Sequence, residues 1–255
     1  MQIKGKTILI TGGASGIGLE AAKQFLNIGA RVIITGRNEE KLKAAKASYP
    51  HLIAIKSDVS KSEDAHSLLQ QVTDMGGIDI LYNNAGVDIA SKNLGLADDR
   101  HLEAATIEMD INYLGVIRMN NLFLDMLKSR EETAIINTTS ILSYVPSLIE
   151  ATYSASKTAL SFYTRSLREH LKIINSHVKV FELLPPVVDT EMVAARTDKK
   201  LSPQKLVKGL IKGLENDQFT IRVGITKALY ILNRLFPKLA FGLVNPKKTA
   251  LSLKS

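Results

Sequence analysis

The 255-residue sequence contains no cysteine, which excludes disulfide bonds and thiol chemistry. It has no uninterrupted apolar run of membrane-spanning length, and its first residues lack a charged segment followed by a long apolar stretch. The five histidines show no metal-ligand spacing, so we predict no metal site. These absences suit a reducing compartment, and we expect a cytoplasmic location.

The charge is unbalanced: 33 Lys and Arg against 25 Asp and Glu give a formal net charge of +8. No nucleic-acid recognition motif accompanies this charge, so we predict no nucleic-acid partner. The basic residues are modestly concentrated after Lys199. A positive field also attracts a phosphorylated cofactor or an anionic membrane surface. The simplest interpretation is a solvated basic surface.

Strand-like and helix-like patterns alternate along the chain, which is 45% hydrophobic and long enough to bury a core. The strand patterns cover residues 7–11, 31–35, 51–56, 78–82, 133–138 and 177–184. The helical patterns cover residues 19–28, 39–47, 62–74, 102–128 and 152–174. This alternation predicts an α/β fold, a Rossmann-type doubly wound parallel sheet in three layers. No linker or repeat divides the sequence, so we predict one domain over 1–255.

A glycine-rich turn directly follows the first strand pattern, Thr7–Thr11. Its sequence is Gly12-Gly13-Ala14-Ser15-Gly16-Ile17-Gly18, and a helical pattern follows. Gly12 permits a tight turn, Gly16 lets the backbone approach a phosphate, and Gly18 allows close packing of helix on strand. The N-terminus of the helix offers N–H groups and a positive dipole end to a pyrophosphate. Strand, turn and helix in this order predict a dinucleotide site.

The end of the second strand pattern indicates which dinucleotide binds. An NAD-selective site usually carries an acid there, but this chain has Gly36 followed by Arg37. Without a carboxylate to repel a 2′-phosphate, and with a guanidinium to bind one, NADP(H) is favoured and NAD(H) remains the alternative. Ser15 offers a further hydroxyl to that phosphate.

Tyr153 and Lys157 lie one helical turn apart and therefore project from the same helix face. A cation beside a phenol favours the phenolate, so we expect Lys157 to lower the pKa of Tyr153 toward a value useful in acid–base catalysis. Ser140, thirteen residues upstream of Tyr153, offers a hydroxyl that holds the substrate oxygen.

These segments together resemble the short-chain dehydrogenase/reductase family over about residues 5 to 192. The motifs that carry the resemblance are Thr11-Gly-Gly-Ala-Ser-Gly-Ile-Gly18, Asn83-Asn-Ala-Gly86, Asn112, Ser140 and Tyr153-x-x-x-Lys157. The resemblance implies that Lys157 also bonds the nicotinamide ribose and that the main chain of Asn112 holds a water in a proton relay. The cofactor-binding residues that it implies are Gly12, Ala14, Ser15, Gly16, Ile17, Gly18, Arg37, Asp58, Val59, Asn84, Ala85, Gly86, Tyr153, Lys157, Pro185, Val188 and Thr190.

The activity implied is hydride transfer between NADP(H) and a small-molecule carbonyl or alcohol, with Tyr153 as acid or base, in a homodimer or homotetramer. Two alternatives stay open: a non-catalytic protein that senses the dinucleotide, and a membrane-associated reductase acting on a lipid-linked substrate. One departure from the family pattern is Pro186, where glycine is usual. Proline fixes φ, so we expect a rigid pocket floor.

The last part of the chain, about residues 190–255, is expected to supply the substrate loop and a C-terminal helical cover. Its segment 226–244 interleaves apolar and basic residues, and Pro237 is expected to kink or divide any helix there. We expect this segment to form a lid over the substrate pocket or a subunit interface, and contact with an anionic membrane surface is the less favoured alternative. The segment is similar to that of the DltE-like bacterial oxidoreductases. Glu150, in the apolar stretch after Ser140, is either a substrate-specificity residue or a solvated loop charge, and we favour the solvated loop charge.

Overall fold

Within the residues that the structure describes, namely 1–89, 93–194 and 199–247 of a computed structural model, seven strands form one parallel sheet. The strands are β1 (Thr7–Thr11), β2 (Arg31–Gly36), β3 (Ile53–Lys56), β4 (Ile80–Asn83), β5 (Ala134–Thr138), β6 (Lys179–Leu184) and β7 (Thr220–Arg222). Their order is β3-β2-β1-β4-β5-β6-β7, and every neighbouring pair is parallel. The predicted doubly wound sheet is therefore confirmed. Its topological switch point lies between β1 and β4, where ligands bind in such sheets.

Helices cover both faces of the sheet, which gives the predicted three layers. They are α1 (Gly16–Ile28), α2 (Glu39–Ser48), α3 (Ser62–Asp74), α4 (Arg100–Met109), α5 (Gly115–Lys128), α6 (Ala151–Ile173), α7 (Pro203–Glu215), α8 (Thr226–Leu235) and α9 (Pro237–Val244). Alternate strand residues enter different cores: Ile8 and Ile10 pack with Phe25, whereas Leu9 packs with Phe123. Because side chains alternate along a strand, these two clusters lie on opposite faces of the sheet.

Local sequence explains where several helices begin and end. The Asn38 side chain accepts a hydrogen bond from the Lys41 N–H at the start of α2, and Ser202 caps α7 in the same way ahead of Pro203. Helix α1 ends at Gly29, whose φ of 91° is the left-handed conformation that glycine adopts readily. These caps direct the chain back to the sheet after each crossover.

The structure departs from the predicted helix over 102–128. It has α4, then a five-residue π-helical turn at Asp110–Leu114, then α5. The buried Asn112 lies in this turn, and its side chain hydrogen-bonds the main chain of Val87 instead of facing solvent. Such turns often occur at functional sites. Elsewhere, β3, β4 and β6 each begin two residues later than predicted, and the predicted patterns do not include α7 or β7.

Pro237 divides the C-terminal segment into α8 and α9, as predicted. Asn233 in α8 donates to the Tyr144 carbonyl, and Asn245, which directly follows α9, donates to the Pro146 carbonyl, so both helices are tied to the loop 144–148. Residues 195–198 and 248–255 of the predicted loop and cover lie outside the described residues. In the described part of the chain, no helix combines the length and apolar character needed to cross a membrane.

Candidate active site

The glycine turn between β1 and α1 leaves no room for a side chain at Gly12 or at Gly18. A Cβ on Gly18 would lie 2.3 Å from the Gly12 carbonyl oxygen, and one on Gly12, whose φ is 64°, would lie 2.9 Å from the Cα of Ala85. The Asn84 side-chain amide donates to the carbonyls of Thr11 and Gly12, at 3.1 and 3.2 Å. The loop after β4 therefore holds the glycine turn in place at the switch point.

The N-terminus of α1 is free to bind an anion. Ser15 occupies the N-cap position, but its side chain accepts no capping hydrogen bond from the described residues, and the first turn carries no acid. Gly12, Ser15, Gly16 and Ile17 line an open cleft at this end of the helix. Free N–H groups and the positive end of a helix dipole suit a pyrophosphate.

A second cavity adjoins this cleft at the ends of β2 and β3. Arg37 is exposed beside it and makes no side-chain hydrogen bond or ion pair with the described residues. Lys41 also lines it, and its ammonium pairs with the Glu191 carboxylate at 2.5 Å. The remaining lining residues are Gly12, Ala14, Ser15, Thr35, Gly36, Asn38, Ser57, Asp58, Val59, Ala85, Gly86, Val87 and Ile111. The guanidinium of Arg37, which has no partner among the described residues and lies next to Gly36 at the end of β2, suits an anionic group.

A third cavity contains the predicted acid–base residues. Ser140, Tyr153 and Lys157 all line it, and Gly86 joins it to the dinucleotide cleft. The Lys157 ammonium donates to the Thr138 carbonyl at 2.9 Å and lies 5.7 Å from the centroid of the Tyr153 ring. Lys157 is only 3% exposed, so its charge is held inside the protein.

The prediction that Lys157 lowers the pKa of Tyr153 is wrong for this structure. Burial raises the pKa of Tyr153 well above its usual value, and the carboxylates of Asp88 and Glu150 raise it further. The interaction with the Ser140 hydroxyl acts in the opposite direction and is outweighed. Burial also lowers the pKa of Lys157, to about 8. Desolvation is thus the largest cause of the pKa shift of both side chains, and the helical spacing of the pair does not reveal it.

The interpretation of Glu150 as a solvated loop charge is also wrong. Glu150 is buried, precedes α6 and lines the same cavity as Tyr153. Of the apolar residues between Ser140 and Glu150, Ile141 and Leu142 reach this cavity, whereas Tyr144 packs against Tyr230. The cavity therefore combines a mainly apolar lining with the charged Glu150.

Asn112 lies behind the cavity wall. Its side chain accepts from the Val87 N–H at 2.8 Å and donates to the Val87 carbonyl and the Ser156 hydroxyl. A Cβ on Gly86 would lie 3.1 Å from the Asn112 amide oxygen and 3.3 Å from the Lys157 ammonium. Asn112 therefore fixes the loop beside Lys157.

The structure brings most of the predicted residues together along one continuous cleft. Those that line it are Gly12, Ala14, Ser15, Gly16, Ile17, Arg37, Asp58, Val59, Asn84, Ala85, Gly86, Ser140, Tyr153, Lys157, Pro185, Val188 and Thr190. Pro186 lines the acid–base cavity, as expected for its floor. Gly18 and Asn112 stand behind the cleft and shape it.

Several residues that line the cleft were not predicted from the sequence. The hydroxyls of Thr35 and Ser57 are buried beside the second cavity and have no hydrogen-bond partner among the described residues. Both lie at the carboxyl ends of strand patterns, which was a usable signal. Lys41 and Asp88 carried no sequence signal, because only the folded chain brings them to the cleft.

These features suit a dinucleotide-binding protein in which the cavity that contains Ser140, Tyr153 and Lys157 adjoins one end of the cleft. A nicotinamide dinucleotide fits a turn that excludes side chains at Gly12 and Gly18, an open helix N-terminus, and the hydroxyls of Thr35 and Ser57 that lack hydrogen-bond partners among the described residues. Gly12, Ser15, Gly16 and Arg37 are placed to hold its phosphates.

Comparisons with known proteins agree with this class. A family profile described as short chain dehydrogenase matches residues 6–201. The chain is 31% identical over 222 residues to the "uncharacterized oxidoreductase DltE" of Bacillus subtilis strain 168, covering 84% of this chain and 86% of that protein. It is 32% identical over 198 residues to the "uncharacterized oxidoreductase YvrD" of the same strain, covering 76% and 73%.

A short chain dehydrogenase from Burkholderia cenocepacia J2315, crystallised with NADP, has the same fold, with a TM-score of 0.84. It is 28% identical, and the match covers 96% of this chain and 99% of that one. A short chain dehydrogenase/reductase from Burkholderia phymatum, crystallised with NAD, shares the fold at 20% identity and a TM-score of 0.81, over 94% of this chain and 96% of that one. The chain belongs to the short-chain dehydrogenase/reductase family, and its relatives include DltE-like oxidoreductases.

Proposed function

We propose that this protein is an NADP(H)-dependent oxidoreductase that interconverts a carbonyl and a hydroxyl group in a small-molecule substrate. The observation that carries the proposal is the single cavity that contains Ser140, Tyr153 and Lys157 and opens at Gly86 into the dinucleotide cleft. When bound, the nicotinamide supplies or accepts the hydride.

Tyr153 transfers the proton to or from the substrate oxygen. Its raised pKa keeps the phenol protonated at neutral pH, so in the reductive direction it donates the Oη proton to the substrate oxygen. The Ser140 hydroxyl lies on the same cavity wall and orients that oxygen. The buried ammonium of Lys157, held by the Thr138 carbonyl, stabilises the phenolate that proton transfer leaves behind.

Asn112 acts as a positioning residue in this scheme. Its amide hydrogen-bonds both main-chain groups of Val87 and so fixes the wall next to Lys157. The family resemblance adds a water held by the Asn112 main chain, and that relay stays a prediction.

The preference for NADP(H) is supported by charge. β2 ends in Gly36 without an acid, and the guanidinium of Arg37 and the ammonium of Lys41 border the adjoining cavity. A fork of N–H groups binds phosphate oxygens well. The relative from Burkholderia cenocepacia, which was crystallised with NADP, lends further support.

Three further parts of the proposal rest on sequence. We place the protein in the cytoplasm, as a single domain that forms a homodimer or homotetramer.

The sensor alternative is less favoured, because a protein that only senses the dinucleotide has no need for Ser140, Tyr153 and Lys157 around one cavity.

The test is a screen of aldehydes, ketones and alcohols, followed at the nicotinamide absorbance with both cofactors. We expect turnover of at least one substrate class and a higher kcat/KM with NADPH than with NADH. A preference for NADH would refute the argument from Arg37 alone. Tight cofactor binding without turnover of any class would favour the sensor.

A further inference from the structure

We propose that the outer face of α8 and α9 is a docking surface for an anionic phospholipid bilayer, on which the protein adsorbs without spanning it. We define the outer face by its exposed side chains. They are Lys227, Ile231, Arg234, Leu235, Phe236, Lys238, Leu239, Phe241 and Leu243. The proposal does not depend on the cofactor or on the reaction.

The first observation is a charge imbalance confined to the C-terminus. The last acid in the chain is Asp217, so residues 218–255 carry no negative side chain. The same residues contain seven cations: Arg222, Lys227, Arg234, Lys238, Lys247, Lys248 and Lys254. Since the whole chain has a net charge of +8, this segment accounts for nearly all of the imbalance. Cations near a bilayer surface are attracted to acidic lipids.

The second observation is that large apolar side chains lie among these cations and are exposed. Leu235, Phe236, Leu239, Phe241 and Leu243 are 41–65% exposed and fall within residues 235–243, and a contiguous group of exposed apolar side chains marks an interaction surface. In α8, Lys227, Ile231, Arg234 and Leu235 follow helical spacing and share one face. An apolar face bordered by Lys and Arg is the pattern of helices that lie in a membrane interface.

The third observation is that the inner face is already occupied. Ala240 is fully buried, and Asn233 and Asn245 hydrogen-bond the loop 144–148. Arg222 stacks over the Tyr230 ring at 4.0 Å and bonds the Tyr144 hydroxyl, so it belongs to this inner contact. The two helices are thus anchored to the body of the protein, and their outer face is left for another partner.

Charge decides which partner fits. In a symmetric pair of copies, the same patch meets itself, and Lys227, Arg234 and Lys238 would face their own equivalents. These side chains make no ion pair or hydrogen bond with the residues that the structure describes, so no acid offsets them there. Nucleic acid would match the charge but not the exposed Leu and Phe side chains. An anionic bilayer matches both.

The test is flotation of the full-length protein with two kinds of vesicle. One is phosphatidylcholine alone, and the other is phosphatidylcholine and phosphatidylglycerol in equal amounts. We expect the protein to float with the anionic vesicles only. Raising the salt from about 0.1 M to about 1 M shortens the screening length from about 10 Å to about 3 Å and should release most of it.

Two double variants test the two components of the surface. Lys227→Glu with Lys238→Glu should weaken partition to anionic vesicles by at least about 25-fold, because each lost cation accounts for roughly fivefold. Leu239→Asn with Leu243→Asn should weaken it by roughly tenfold or more, because these side chains no longer enter the interface. All four residues are exposed, so we expect wild-type circular dichroism and unfolding midpoints.

The matched control is Lys61→Glu with Lys208→Glu, which changes the net charge equally at exposed positions outside α8 and α9. It should keep near wild-type partition. The proposal is overturned if the wild type does not float, if the control loses as much binding as the α8–α9 variants, or if gel filtration shows that the α8–α9 variants dissociate an oligomer.

Discussion

Replacing Gly18 with alanine adds one methyl group at the tightest point of the glycine turn. That Cβ would lie 2.3 Å from the Gly12 carbonyl oxygen and 2.6 Å from the Asn84 side-chain nitrogen. Ordinary contact begins near 3.4 Å, so the carbonyl must retreat by roughly 1 Å. The hydrogen bond from Asn84 to that carbonyl, now 3.2 Å, cannot survive such a shift.

The cost follows from these contacts. Overpacking of this kind costs about 1–3 kcal/mol, and the lost hydrogen bond adds about 1 kcal/mol. Alanine's better helix propensity in α1 offsets about 1 kcal/mol. We therefore expect Gly18→Ala to lower the free energy of unfolding by about 2 kcal/mol. We also expect NADPH affinity to fall at least roughly tenfold, because the N–H groups that face the pyrophosphate move with the turn.

Urea unfolding and a fluorescence titration with NADPH measure the two effects. The control is Gly242→Ala, since a Cβ on this exposed glycine in α9 meets no atom within 4 Å. It should raise stability by about 0.5–1 kcal/mol and leave cofactor affinity unchanged. Wild-type stability and NADPH affinity in Gly18→Ala would refute the close approach that this reasoning depends on.

Three further predictions follow from the charges in the cleft. Arg37→Ala should raise the Kd for NADPH by roughly 10- to 100-fold, with little change for NADH, by titration; equal losses for both cofactors would contradict a phosphate role. Glu150→Gln removes a negative charge that raises the pKa of Tyr153, so the phenol becomes a stronger acid and the reductive pH–rate profile should lie above that of wild type at neutral pH. Glu103→Gln, on the exposed face of α4, is its control, and identical profiles in both variants would contradict the placement of Glu150. The pKa of Lys157 falls from 10.5 to about 8 on folding, so the charged form is disfavoured in the folded state and wild-type stability rises with pH between these values. Relative to Lys157→Met, wild type should therefore gain about 3 kcal/mol of unfolding free energy between pH 7 and pH 10.5, by urea titration; a difference that does not change with pH would contradict a buried ammonium.

Sequence predicted most of the sheet because its central strands are short, buried and rich in isoleucine and leucine, and because the crossovers separate them clearly. The glycine turn could also be predicted from the sequence, since local backbone geometry and close contacts require Gly12 and Gly18. β7 was not predicted, because three residues are too few to show the alternation of apolar and polar residues that marks a strand.

The electrostatics of the site were not readable from sequence. The spacing of Tyr153 and Lys157 placed both groups on one helix face, but the shift of each pKa depends on how deeply the fold buries them. Glu150 looked like a loop charge because its neighbours in sequence do not reveal that the start of α6 packs against the cavity. Tertiary burial decides both cases.

We propose above all that Tyr153 transfers the proton and that the dinucleotide site binds its cofactor without needing the Tyr153 hydroxyl. Tyr153→Phe removes one hydroxyl and keeps the ring, and it leaves Gly12, Ser15 and Arg37 untouched. We predict that this variant binds NADPH with nearly wild-type Kd and that its kcat for the best carbonyl substrate falls by at least roughly 100-fold. Normal turnover by Tyr153→Phe with NADPH bound would contradict the account.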